Sequence, residues 1–198
     1  MTSPTGVPPT ARGEGRDALC DALMRIVARD GLDGVTFRSV AAEAGVTHGL
    51  ASYHFGNRDT MIMEALLRAV REAIERTQLG TGVSSLAEFA ADVPSQLEAV
   101  PQDAIFQFTL ALEAQRRPEL LEQVRATYDS YIAEVRATLG RLGLADDAPL
   151  ARLTWAAIDG LSVQQLLYRD PAATAESLER LREILAGLAP AGAPAANT

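Results

Sequence analysis

The sequence predicts an all-helical protein, and three observations carry that reading. Apolar residues recur three and four apart over most of the chain, as in Leu19, Leu23, Ile26 and Val27, or Ile62, Leu66, Ala69 and Val70. Proline and glycine fall between these periodic segments, where helices start and stop. No segment alternates apolar and polar residues as a half-buried strand would. Composition agrees: 47% hydrophobic but only 5% aromatic residues suits an Ala- and Leu-rich helical core.

Taken in order, residues 1–13 hold three Pro and two Gly without periodicity and read as a disordered arm. A first helix is expected over Arg16–Arg29, stopped by Gly31. Thr36 can cap a second, Phe37–Ala44, with Val40, Ala41 and Ala44 on one face. Gly45 breaks it, and Thr47 offers a cap for a third helix of about two turns, ending at Tyr53. Two helices joined by so tight a glycine turn form the helix-turn-helix pattern. Helices this short are unstable alone and need neighbours to pack against. Asn57 can cap a long connector from Arg58 to about Gln78, followed by a Gly-containing linker, Leu79–Ser84.

The remainder reads as further helices. Ser85–Glu88 is a capping box opening a helix to about Val100, kinked or broken at Pro94. Asp103 to about Arg116, Pro118–Gly140, Pro149–Tyr168 and Pro171–Leu188 follow, and the Ala/Pro-rich tail reads as disordered. The expected boundaries are an arm at 1–13, a helix-turn-helix domain at 14–60, a helical bundle at 61–188 and a tail at 189–198.

Charge and composition exclude several function classes. The net charge is −8 and the sequence pI about 4.8, which argues against a wholly basic nucleic-acid binder. Residues 1–80 nonetheless hold nine Arg against ten acids, and residues 81–198 nine Arg against sixteen. The N-terminal part is thus near neutral, and any affinity for nucleic acid there must come from a few placed Arg and helix N-termini. Cys20 is the only cysteine, so no internal disulfide forms and the cytosol is the natural compartment. No apolar run is long enough to span a membrane. The two His have no metal-ligand spacing, so no metal is expected. Phosphate loops, nucleophile elbows and Cys/His pairs are missing; neither catalysis nor a cofactor is expected.

The outward face of the third helix carries the chemistry. With Leu50 and Ala51 turned inward, Thr47, His48, Gly49, Ser52 and Tyr53 point out, offering hydroxyls, an imidazole and a phenol without an acid. Such a face suits base edges and phosphates in a major groove, whereas an ordinary solvated face carries Glu and Lys pairs. Arg58 sits in the first turn of the connector, where the helix dipole disfavours a cation. A phosphate contact or a local pair with Asp59 would account for it.

Residues from about Arg16 to Ala73 resemble the DNA-binding domain of TetR-family transcriptional regulators. The likeness rests on D-G-L-D-G-V-T-F-R-S-V-A-A-E-A-G-V-T-H-G-L-A-S-Y-H-F-G-N-R-D-T-M, with Thr36, Ala41, Ala44, Gly45, Val46, Gly49, His54, Phe55 and Arg58 fitting in order and spacing. Ala51 and Ser52 depart from the residues common in the family. The resemblance implies about nine helices: an N-terminal three-helix DNA-binding domain joined by a long connector to a C-terminal ligand-binding and dimerisation bundle. It implies a homodimer through the last two helices, a double-stranded DNA operator and a small-molecule effector. By matching position, Thr36, Arg38, Thr47, His48, Gly49, Ser52, Tyr53 and His54 are the candidate DNA contacts, with Arg58 on phosphate.

Polar side chains on the apolar later helices mark candidate effector contacts: Glu113, Tyr128, Tyr131, Trp155, Asp159 and Gln164, with Phe106 and Leu110 as apolar lining. Core aromatics and a local Glu113–Arg116 or Glu113–Arg117 pair are the alternative. The expected function is a repressor released from a palindromic operator by its ligand. An activator, or a helical small-molecule binding protein with a vestigial DNA module, is the alternative.

Overall fold

The computed structural model describes residues 14–76, 79–80 and 82–189; the expected arm at 1–13, positions 77, 78 and 81 of the connector and linker, and the tail from 190 lie outside them. Among the described residues there are nine α-helices, one 3₁₀ turn and no strand. The chain divides into two compact units, Met1–Leu66 and Leu67–Thr198.

The first unit holds α1 (Glu14–Asp30), α2 (Phe37–Glu43), α3 (His48–Phe55) and the start of α4 (Arg58–Arg76). Its core is the expected stripe of α1, with Leu19, Leu23, Ile26 and Val27 almost fully buried, joined by Val40, Ala51, Phe55, Met61 and Ile62. Local chemistry sets the helix ends. Gly31, Gly45 and Gly56 take φ near +70°, a left-handed conformation that a side chain would strain. Thr36 caps α2 by accepting from the Ser39 amide at 3.0 Å, and Ser39 returns the favour by accepting from the Thr36 amide at 2.9 Å. Asn57 caps α4 through the Thr60 amide at 2.8 Å.

Part of the Arg58 guanidinium, expected on phosphate, is engaged inside the protein. Its Nε donates to the Val35 carbonyl at 2.8 Å and its second terminal nitrogen to the Leu32 carbonyl. The guanidinium therefore closes the connection between α1 and α2. The local pair with Asp59 is not what occupies it.

In the second unit, helices open on proline. Pro94, Pro101, Pro118, Pro149 and Pro171 lie in the first two positions of α5 (Val93–Ala99), α6 (Pro101–Glu113), α7 (Pro118–Arg141), α8 (Ala148–Tyr168) and α9 (Pro171–Leu188). Asp147 and Asp170 complete two of these starts by accepting the Leu150 and Ala173 amides at 2.9 and 3.0 Å. The helix expected from Ser85 does not form. Residues 85–92 make successive turns, Ala90 takes φ +56°, and a helix begins only at Val93, so of the kink or break expected at Pro94 the chain takes the break. Glu88 reaches back as a capping side chain, but to Ser84, whose amide donates to it at 2.8 Å.

Replacing Arg58 with Ala leaves two backbone carbonyls without their cationic donor. The expected loss is about 2–3 kcal/mol of stability, read as a lower urea midpoint by circular dichroism; Lys, which cannot span both carbonyls, should recover only part of it.

Candidate functional site

The first unit presents an open face at the start of α3. Thr47, His48, Gly49 and Tyr53 are exposed, as are Thr36 and Arg38 at the start of α2, while Ser52 and His54 are half-buried. Tyr53 is 67% exposed, unusual for a ring that size unless something else covers it. Thr47 has the extended backbone of a cap, yet its side chain takes no capping hydrogen bond. The positive end of α3 is thus left without a side-chain acceptor. His48 stands edge-on to Phe37 at 6.2 Å between ring centroids, which holds the imidazole at the junction of α2 and α3. His54 packs between Tyr53, at 5.5 Å, and Phe55, at 6.2 Å. The Ser52 hydroxyl donates back to the His48 carbonyl at 3.3 Å. Gly49 has helical backbone, and a Cβ built there would meet nothing within 4 Å. Nothing inside the protein requires a glycine at this position.

Arginines of this unit are mostly committed internally. Arg16 pairs with Glu64, Arg25 with Glu43 at 3.1 Å, and Arg29 with Asp30 and Glu43 at 2.9 and 3.2 Å. Hydrogen bonds from Arg25 and Arg29 hold the Glu43 carboxyl below the usual range. With Arg58 on carbonyls, Arg38 is the exposed arginine of the described first unit that no acid engages.

In the second unit the structure brings four of the expected effector residues together. Tyr131 of α7 stacks flat on Trp155 of α8, centroids 4.1 Å apart, and Tyr128 meets the same ring edge-on at 6.5 Å. The Tyr128 hydroxyl makes a long 3.5 Å contact to Asp159 Oδ2, one turn beyond Trp155. Burial raises the Asp159 carboxyl to about 6, with Tyr128 pulling weakly the other way. Burial and then the Asp159 charge push the Tyr128 phenol up to about 12, and burial drives Tyr131 higher still. Trp155 Nε1 is buried without a hydrogen-bond partner. Gln107 of α6, which sequence reasoning passed over, accepts from the Tyr131 hydroxyl at 2.9 Å. Its one signal was a polar amide between Phe106 and Phe108.

Other expected contacts are placed differently. Phe106 and Leu110 are fully buried on α6. Glu113 pairs with both Arg116, at 3.1 Å, and Arg117, at 3.5 Å. Gln164 lies exposed on α8, away from the buried face of Trp155 and Ile158, in a stripe with Leu153 and Leu167 that are 68% and 72% exposed. Its neighbour Gln165 turns inward instead and donates to the Pro94 carbonyl at 2.8 Å. Ile184 and Leu188 of α9 are exposed as well. Among the described residues no group of His, Cys, Asp and Glu could hold a metal. No helix there is long and apolar enough to cross a membrane.

Residues 19–70 match the family model of bacterial regulatory proteins, tetR family, and residues 81–191 match that of the tetracyclin repressor-like C-terminal domain. The chain belongs to the TetR family. It is 30% identical over 162 residues to the transcriptional regulator BetI of Agrobacterium fabrum, covering 79% of each chain. It is 27% identical over 129 residues to the nicotine-responsive transcriptional repressor HdnoR of Paenarthrobacter nicotinovorans, 63% of this chain and 66% of that one. Among solved structures it resembles the multidrug binding protein EbrR in complex with imidazole. There the TM-score is 0.62 at 29% identity, over 98% of this chain and 100% of that one. The all-helical architecture and the helix-turn-helix read from the sequence stand. A small-molecule carrier with a vestigial module is not favoured, because both halves match transcriptional regulators, which are not enzymes.

The raised Asp159 carboxyl makes a signed prediction. A charged Asp159 costs the TetR-family fold stability above pH 6, since its folded value lies above the ordinary 3.8. Asp159→Asn should therefore stabilise the protein at pH 8 by about 1 kcal/mol, discounted for partial exposure. That advantage should shrink as the pH falls through 6 and vanish below about 4, followed as the difference in thermal midpoints.

Proposed function

We propose that this protein is a dimeric repressor that leaves a near-palindromic operator when a small molecule occupies the aromatic cluster of α7 and α8. The observation that carries the DNA half is the start of α3: exposed, acid-free, uncapped by Thr47 and opened by a glycine that internal packing does not need. Thr36, Thr47, His48, Ser52 and Tyr53 would meet the duplex there, and His54 would support Tyr53 from behind. Arg38 takes the phosphate role, with whatever Arg58 donors the carbonyls leave over. Two copies joined through the exposed apolar stripes of α8 and α9 would set two recognition helices about 34 Å apart, one helical turn of DNA. The operator is double-stranded, and the protein works in the cytoplasm.

Effector control would run through α4. Arg76, its last described residue, pairs with the buried Asp103 of α6 at 2.7 Å, and α6 carries Gln107 onto Tyr131. A ligand that reorganises this cluster would shift α6 and thereby the end of α4. Release follows if the ligand binds the shifted state better. HdnoR, nicotine-responsive, and EbrR, a multidrug binding protein, support a small-molecule effector here.

The test is selection of a duplex from a randomised pool, then affinity across a salt series. Arg38→Ala should weaken every sequence alike and reduce the salt slope by about 0.9. Gly49→Ala should stabilise the fold by about 0.5–1 kcal/mol while weakening the selected duplex about tenfold or more. Unchanged affinity in Gly49→Ala would remove the start of α3 from the interface.

A further inference from the structure

The carboxylate of Asp159 stands apart from the other shielded acids of the second unit. Asp103 and Glu113 each have an arginine at 2.7 to 3.5 Å. Asp159 is half-buried, and among the described residues no arginine pairs with it; its one hydrogen bond is the long contact from a neutral phenol. Tyr128 of α7 is the one titratable side chain that shifts its carboxyl, Tyr131 lies within electrostatic reach, and both phenols are held neutral. Shielding a carboxylate without a cation is costly, so the arrangement is incomplete as it stands. The groups around it are electron-rich rings, whose faces attract positive charge. An anionic ligand would add repulsion, and Arg76, the nearest cation acting on Tyr131, is already held by Asp103.

We propose that this cluster takes a small organic cation, a quaternary or aromatic ammonium compound, with the Asp159 carboxylate as counter-charge and the Tyr128 and Trp155 rings as its wall. The inference rests on the effector reading above and gives it a ligand class. Trp155 Nε1, a buried donor without a partner, adds a place for an acceptor oxygen on the ligand.

Trp155 is the only tryptophan in the chain, so its emission reports on this cluster alone. Full-length protein is titrated at pH 7.5 with phenyltrimethylammonium and with tert-butylbenzene, its uncharged isostere. The cation should quench saturably and bind about tenfold or more tighter than the isostere. Asp159→Asn, with folding checked by thermal melting, should lose about tenfold for the cation and keep the isostere's affinity. In the parent protein the cation's affinity should fall as the pH drops through about 6, and in Asp159→Asn it should not. Equal affinity for both probes, a cation affinity unmoved by Asp159→Asn, or no saturable quenching by the cation would each overturn the proposal. The two readings fail separately. A protein that retains its selected duplex but ignores the cation loses the ligand class alone. A cation that binds without releasing the duplex leaves the site standing and removes its effector role.

Discussion

The DNA-facing module depends on one cation placed where a helix least favours it. Arg58 occupies the first turn of α4, at a cost of about 0.3–1 kcal/mol against the helix dipole. Its two charge-assisted hydrogen bonds to the Leu32 and Val35 carbonyls, each worth about 1.5–3 kcal/mol, outweigh that cost. Those carbonyls lie just ahead of the Thr36–Ser39 capping box. The fork thereby fixes where α2 begins, and α2 in turn fixes the glycine turn at Gly45 and the start of α3. Seven- and eight-residue helices have no stability of their own, so this clamp and the apolar stripe of α1 give the recognition helix its attitude.

What was legible in the sequence was what local chemistry decides. The starts at Pro118, Pro149 and Pro171, the glycine stops and the Thr36 and Asn57 caps are each settled within a few residues, and they appear at or near the expected positions. Failures came where distant contacts decide. Residues 85–92 have a helical pattern, yet Ala90 adopts a left-handed backbone and Arg182 of α9 donates to the Phe89 carbonyl at 3.3 Å, which holds the segment as turns. No local pattern encodes that contact. The internal bonds of Arg58 were hidden for a similar reason: its carbonyl partners lie more than twenty residues away. At the aromatic cluster of α7 and α8, the spacing of Trp155 and Asp159 one turn apart was visible, but which α7 rings would meet them was not. Gln164 and Gln165 are adjacent and chemically identical, yet one is exposed and the other buried on α8, and the sequence offered no way to choose between them.

Charge is used sparingly throughout. In the described part of the first unit, arginines tie helices together or brace backbone, and few remain for a polyanion. Recognition by such a surface would lean on shape, hydroxyls and helix ends more than on a long-range field, so encounter with DNA would gain little electrostatic steering.

Helix α8 serves two surfaces at once. Trp155 and Asp159 meet rings of α7, while Leu153, Gln164 and Leu167 look outward on the far side of the same rod. A rigid helix cannot turn one side without turning the other. On the proposed reading, a second copy against the outer stripe would let a guest bound in one subunit alter the energy of binding in its twin. The two sites of such a dimer would then share a coupling free energy, and occupancy would depart from a simple hyperbola.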